Sequence, residues 1–392
     1  MKKRILSIFL CLVMVFSLLP FTASAAGATP IDEKNFPDPV FREYVLKIVG
    51  SSVLTEEKAQ QIEVLDVSDD NIKEVLGDRA PITSLMGIRY LRYVKDLNCS
   101  GQKLKKTLNL EQNSRVEKLN CSGNQLTALD VRSNYLLKKL SCYENQITAL
   151  DLSYNGALES LSVNDNPITE LNLHPLSNLQ DLSCSKMQLK KLDVDRCPKL
   201  RRLYCNDNQI ETLDLRSNKK LEVLYCQNNR LSWLDLSSNT ALDPRYVDCS
   251  GNVYDIKVDR NLQYRVYPDL PCYGATEGTY FTAARASDWT GGTVSKVDGW
   301  DVLTLNNASV KEVTYKYDTG NAKIGKVDFK LNVTVPPESS IHNVDLKAEA
   351  PRAGESAKDP KVTPVDSKAK YVVEHADWRV SGSMTVYTGT FE

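Results

Sequence analysis

From Val116 to Asn239 the apolar positions return every 21 residues. The stretch V-E-K-L-N-C-S-G-N-Q-L-T-A-L-D-V-R-S-N-Y-L is followed by L-K-K-L-S-C-Y-E-N-Q-I-T-A-L-D-L-S-Y-N-G-A and then by four further copies. One copy is too short to bury its own apolar face, so the copies must stack and share a core. Strand alternation in Leu119-Asn120-Cys121 sends Leu119 and Cys121 inward and Lys118, Asn120 and Ser122 outward. Stacking then predicts a parallel sheet of about eight short strands with one open face. Ahead of the copies, Val40, Phe41, Tyr44, Val45 and Ile48 follow helix periodicity after a Pro-bearing start. A second short helix is expected from Thr55, with Glu56 and Glu57 suiting its positive end, and Ile62 to Val67 reads as the first strand. A helical lid keeps the first coil from leaving its core face wet.

A fixed period of 20 to 30 residues with Leu at most marks is the signature of a leucine-rich repeat. The polar columns follow the same beat. Asn124, Asn145, Asn166, Asn208, Asn229 and Asn252 come just after each strand, where a buried amide can satisfy backbone groups of its own and the neighbouring coil; Met187 interrupts them. Asp130, Asp151, Asp193, Asp214 and Asp235, with Asn172 among them, form a second column. A calcium site is the bold reading of that column; local backbone N–H bonds in tight turns are the favoured one. A third column, Asn134, Asn155, Asn218 and Asn239, changes to Leu176 and Cys197, so those two coils are expected to have altered outer corners. Cys99, Cys121, Cys142, Cys184, Cys205, Cys226 and Cys249 share one position, with Val163 standing in once. Val replaces Cys only where the thiol serves as a small apolar group. Side-by-side Cβ vectors also fit a disulfide badly, so a reduced, inert ladder is expected, without zinc.

Past Asn239 the period slips, and short alternating β-branched or aromatic runs take over, separated by Gly291-Gly292 and Thr319-Gly320-Asn321. They predict a small antiparallel sandwich, immunoglobulin-like in class. The expected organisation is a signal peptide at 1–25, a cap at 26–80 and the solenoid at 81–256. The β-sandwich follows at 257–335, a linker at 336–340 and a partial second β module at 341–392, where Trp378 is a candidate core anchor. Cys272 is expected to be a free thiol, with a bridge to Cys197 as the alternative.

Charge changes the picture little. The 392 residues carry 49 basic and 50 acidic side chains, which leaves no nucleic-acid footprint. Met1-Lys2-Lys3-Arg4, the apolar run Ile5 to Leu19 and the Ala23-Ser24-Ala25 cleavage pattern predict export. The apolar run is short of the ~20 residues a span needs, and no later stretch is apolar enough to cross a bilayer. No patterned nucleophile, Walker motif, dinucleotide fingerprint or H-E-x-x-H occurs, and none of His174, His342 and His375 has a patterned partner. The expectation is a non-enzyme without cofactor or metal.

The cap, the Leu85-Met86-Gly87-Ile88-Arg89-Tyr90-Leu91 approach and the L-x-x-L-x-C-x-x-N-Q-L-T-x-L-D-L-S-x-N repeat resemble those of secreted bacterial leucine-rich repeat proteins, the internalins. The resemblance covers roughly Ile31 to Ile256. It implies a curved solenoid whose concave face binds another macromolecule. Read outward from the strands, small polar residues fill the first five coils, and Tyr204 and Tyr225 collect in the last two. Tyr and Arg anchor interfaces, so Tyr143, Arg202, Tyr204, Tyr225 and Gln227 are the candidate contact residues, centred on Arg202, Tyr204 and Tyr225. The leading function is a monomeric, secreted or surface-associated binder of a protein partner. The alternatives are a carbohydrate or wall-binding module, since aromatics stack on sugars, and a spacer presenting further domains.

Overall fold

The computed structural model describes residues 28–259, 261–266 and 283–336, and beyond them the backbone of four strands. The expected signal peptide, Cys272 and Trp378 lie outside the described side chains.

The lid forms from local signals. Helix α1 (Pro39–Val49) starts on Asp38, whose Oδ1 accepts the N–H of Val40 and Phe41, and stops at Gly50 with φ 63°. Its buried stripe is Val40, Phe41, Tyr44, Val45 and Val49; Ile48 faces solvent, contrary to the periodicity reading, because the neighbouring Val49 takes the last core position. Helix α2 (Glu56–Gln61) is capped by Thr55 Oγ1 on the Lys58 N–H. Helix α3 (Asp69–Leu76), which the apolar pattern did not show, is capped by Ser68 and carries Asp69 and Asp70 in its first turn.

Strands β1 (Thr29–Pro30) and β2 (Val53–Leu54) pair antiparallel in the lid, and strand β3 (Val64–Asp66) opens a nine-stranded parallel sheet. It continues through β4 (Asp96–Asn98), β6 (Lys118–Asn120), β8 (Lys139–Ser141), β9 (Ser160–Ser162), β10 (Asp181–Ser183), β11 (Arg202–Tyr204), β12 (Val223–Tyr225) and β13 (Val247–Asp248). Leu65, Leu97, Leu119, Leu140, Leu161, Leu182, Leu203 and Leu224 pair in one unbroken row. Each is at most 2% exposed. On the return side β5 (Lys105–Asn109) pairs in parallel with β7 (Gln125–Asp130).

The asparagine after each strand stitches one coil to the next. Asn145 Nδ2 reaches the carbonyls of Cys142 in its own coil at 3.1 Å and Cys121 in the previous one at 3.0 Å, while its Oδ1 accepts the Leu126 N–H. Asn124, Asn166, Asn208, Asn229 and Asn252 repeat the arrangement. At the first coil Gln102 takes over, donating to Val67 O and accepting from Ile82 N–H. Just before this position of the coil one residue is left-handed, at Met187 as at the asparagines: Glu144, Asp165, Lys186, Asp207 and Asn228 have φ between 52° and 57°. Gly251 takes the same left-handed turn with φ 66°, a conformation glycine adopts without strain.

The outer column donates to two carbonyls of the preceding coil, as Asn155 does to Val131 and Asn134. Leu176 and Cys197 lose those amide bonds but keep the same backbone turn, with Leu176 N–H on Leu173 O at 2.9 Å and Cys197 N–H on Val194 O at 3.0 Å. The altered corners are therefore a loss of side-chain rungs and leave the backbone path intact. The Asp column accepts local N–H bonds two residues on, at 3.0 Å for Asp130, Asp151, Asp193, Asp214 and Asp235. The ladder cysteines and Cys197 are buried free thiols. Burial pushes Cys99, Cys142 and Cys184 up to about 12 and Cys197 up to about 11.

Seven strands follow in two sheets. Strands β14 (Val253–Lys257), β20 (Lys326–Thr334), β19 (Glu312–Asp318) and β16 (Ala286–Thr290) make one; β15 (Gln263–Arg265), β18 (Trp300–Leu305) and β17 (Gly292–Val297) make the other. All pairs are antiparallel except β14 with β20. The β19–β20 loop closes the solenoid by imitating it. Asn321 Nδ2 donates to Leu236 O and Asn239 O at 3.3 and 3.0 Å, one coil beyond Asn239 itself, and the Leu236 N–H binds Thr319 O. Tyr315 donates its hydroxyl to Ser232 O, and Trp233 packs on Tyr317 with ring centres 6.3 Å apart. Farther on, Leu346–Ala348 pairs with Val362–Pro364 and Val373–Ser381 with Met384–Phe391, both antiparallel.

Two outcomes test this account. Asn145→Ala leaves the Leu126 N–H without its acceptor and removes one of the two amide donors on each of the Cys121 and Cys142 carbonyls, so urea unfolding should show a loss of about 1–3 kcal/mol. With the sulfurs enclosed, a thiol reagent at neutral pH should find the eight described cysteines only after denaturation.

Candidate functional site

The open face is laid out by the strand register. Position for position, Asp181 pairs with Arg202, and Arg202 with Val223; Ser183 pairs with Tyr204, and Tyr204 with Tyr225. Because adjacent strands are ~4.8 Å apart, the two tyrosine rings meet. Their centroids are 5.3 Å apart with 14° between planes, a stacked pair. Both residues are half-buried.

Arg202 is held beside them. Its Nε lies 2.6 Å from Asp181 Oδ1 and its Nη2 2.7 Å from Oδ2, a two-point grip across one strand gap. The hydrogen bond to Asp181 raises the arginine pKa further. Other charges along this edge pair likewise, Lys118 with Asp96 at 3.1 Å, Lys95 with Glu63 at 2.7 Å and Arg201 with Glu222 at 2.9 Å. Gln227 lies on the coil of Tyr225, half-buried, with its Oε1 enclosed and unpartnered among the described residues. Tyr143 belongs to the coil of β8, three strand gaps or roughly 14 Å from β11. The structure thus groups Arg202, Tyr204 and Tyr225, with Gln227 at their margin, and leaves Tyr143 apart.

The polar rows are less available than the alternation implied. Ser122, expected to face outward, is 1% exposed and donates to Asn120 Oδ1 at 2.6 Å. Ser100 donates to Asn98, Ser183 to Asn164 and Ser185 to Asn206. Ser100 and Ser122 bond the asparagine two residues before them, and Ser183 and Ser185 an asparagine on a neighbouring coil, so both partners are already engaged. The apolar and polar pattern did not mark Asp181 as the partner of Arg202. Its spacing of 21 residues from Arg202 was the signal, because one period separates direct cross-strand neighbours.

His174 Nε2 lies 3.0 Å from Asp193 Oδ2 on the return side, both side chains substantially exposed. Among the described residues no group of three or more His, Cys, Asp or Glu could hold a metal ion, and no helix is long and apolar enough to cross a membrane.

The fold is a leucine-rich-repeat solenoid. The family of leucine rich repeats (2 copies) matches residues 177–218 and 198–244. Similar solved structures include the functional domain of InlJ from Listeria monocytogenes, described as including a cysteine ladder. It is 19% identical, with 79% of this chain and 99% of that one covered, at a TM-score of 0.40. Internalin C2 from the same organism is 25% identical over 58% of this chain and 100% of that one, at 0.48. An internalin encoded by inlF, again from Listeria monocytogenes, is 19% identical over 59% and 81%, at 0.39. Among curated proteins no sequence relative matches.

The Arg202–Asp181 pair is 47% and 30% exposed at its side chains, so water screens it. Arg202→Ala should change the unfolding free energy by less than about 1 kcal/mol in urea titration, leaving the variant usable for binding work.

Proposed function

We propose that this is an exported, non-catalytic binding protein that takes a protein partner on the open sheet face, with Tyr204, Tyr225 and Arg202 at the centre of contact. The stacked tyrosine pair carries the reading. Two large amphipathic rings are immobilised against each other before any partner arrives, so little side-chain entropy remains to be lost on binding. A guanidinium fixed by Asp181 stands alongside, and Tyr and Arg are the types that dominate interface energetics. Gln227 supplies an adaptable amide at the margin, and Tyr143 a more distant flanking contact.

The glycan alternative is weaker on this face. Sugar recognition needs free donors and acceptors around an aromatic platform, and much of the Ser and Asn complement here is hydrogen-bonded to itself. Export rests on the charged, apolar and small-residue sequence of positions 1–25. The two sheets after the solenoid support an immunoglobulin-like reading. Their second, fifth and fourth strands share one sheet and their third, sixth and seventh the other, while the first strand joins the latter, in parallel with the last. That module would hold the solenoid clear of whatever carries it, as a monomer.

The test is capture of biotin-labelled cell-surface proteins on the immobilised mature chain, beside a glycan array. The Tyr204→Ala/Tyr225→Ala double variant should weaken the captured interaction by about 2 kcal/mol or more with unchanged circular dichroism. Full retention of binding in that variant, or capture of glycans alone, would show the placement to be wrong.

A further inference from the structure

A second surface lies on the opposite side of the solenoid, at its first coil. Two rungs join the preceding segment to this coil: Lys103 N–H on Ile82 O at 3.0 Å, and Asn113 Nδ2 on the carbonyls of Ile88 and Leu91 at 3.1 and 3.0 Å. Between these rungs the two chains part. Asp38, already the cap of α1, uses its Oδ2 to accept the Thr83 N–H at 2.8 Å, the Thr83 hydroxyl at 3.0 Å and the Ser84 N–H at 3.3 Å. The 83–90 segment is thereby tied to the lid and drawn off β5. A groove opens between them, lined on one wall by Thr83 to Tyr90 and Arg92 and on the other by Leu104, Lys105, Thr107 to Asn109, Glu111 and Gln112.

Strand β5 pairs with β7 on its other side only. Among the described residues, no backbone group from Lys105 to Asn109 bonds to the 83–90 segment. That is an open strand edge, kinked at Lys106, where φ is 63° and the register to β7 shifts, and it is otherwise uncovered. Its length is five residues, roughly 16 Å at ~3.3 Å per residue. Each wall carries an unpaired basic residue. Lys105 is exposed and forms no ion pair among the described residues, in contrast to the paired lysines along the sheet face. Arg89 faces it from the other wall with no carboxylate partner among the described residues, its Nη2 bonded to the Tyr90 hydroxyl. Arg92 is paired with Glu56, and Glu111 is the acidic residue lining the groove. Met86, 52% exposed, and Tyr90 offer apolar contact on the same wall.

We propose that this groove binds a short, extended, acidic peptide segment of another protein, which adds as a strand to the free edge of β5. Main-chain hydrogen bonds would supply the register, alternate carboxylates would meet Arg89 and Lys105, and the intervening side chains would rest on Met86 and Tyr90. The surface is separate from the tyrosine pair and does not depend on it.

The probe is a fluorescein-labelled eight-residue peptide alternating Glu and Val, titrated by anisotropy against the full mature chain. Saturable binding is expected, falling at least tenfold in Arg89→Glu/Lys105→Glu and lost when alternate peptide nitrogens are methylated, with Tyr204→Ala/Tyr225→Ala binding as the parent does. Circular dichroism establishes that each variant is folded. No saturable binding, equal binding by the methylated peptide, or unchanged affinity in Arg89→Glu/Lys105→Glu would each overturn the proposal. Equal binding by the methylated peptide would show that charge alone attracts it.

Discussion

The amide of one asparagine per coil is the contact on which this structure depends. A chain that bends sharply after three strand residues turns carbonyls toward the interior, where water cannot reach them. Leaving such groups unpaired costs about 1–3 kcal/mol each. Asn145 and its counterparts satisfy carbonyls of two coils at once, and their Oδ1 takes an N–H from the coil before. The bond that completes one turn therefore also fixes the offset to the next. A solenoid held by nearest-neighbour terms gains its regular register from this shared bond, and Met187 shows that one missing rung is tolerated when its neighbours are intact.

Both ends reuse the same chemistry. At the first coil Gln102 reaches Val67 and Ile82 with a longer side chain, because the first repeat is followed by α3 and by a chain tied to the lid through Asp38. At the far end Asn321, from a β-hairpin loop, makes the two carbonyl bonds of the next outer corner. A stack that simply stopped would expose leucines and unpaired backbone. Here the adjoining β-strands present a turn of the right shape, and Tyr315 and Trp233 seal the apolar part of the junction.

Register also makes the face. Tyr204 and Tyr225 stack because the offset between β11 and β12 is zero, and Arg202 meets Asp181 for the same reason. Outward positions can vary without disturbing the core, since the asparagine rungs and the leucine row carry the stability, while exposed ion pairs contribute little. Such a scaffold separates what holds it together from what it displays.

The period, the inward leucines, the buried cysteine column, the asparagine rungs and the aspartate turns were legible in the chain alone. Each coil repeats its neighbour's environment, so local pattern and tertiary contact coincide. What the pattern missed lies where that coincidence fails. Val49 and not Ile48 fills the lid core, and Ser122 folds back on Asn120. Asp38 holds Thr83 away from β5, and Asn321 acts as a further coil from 82 residues beyond Asn239. These depend on groups brought together from non-repeating parts of the chain, or on which of two nearby partners a side chain reaches first. Spacing along the sequence carries no record of such distances; only the folded packing decides them.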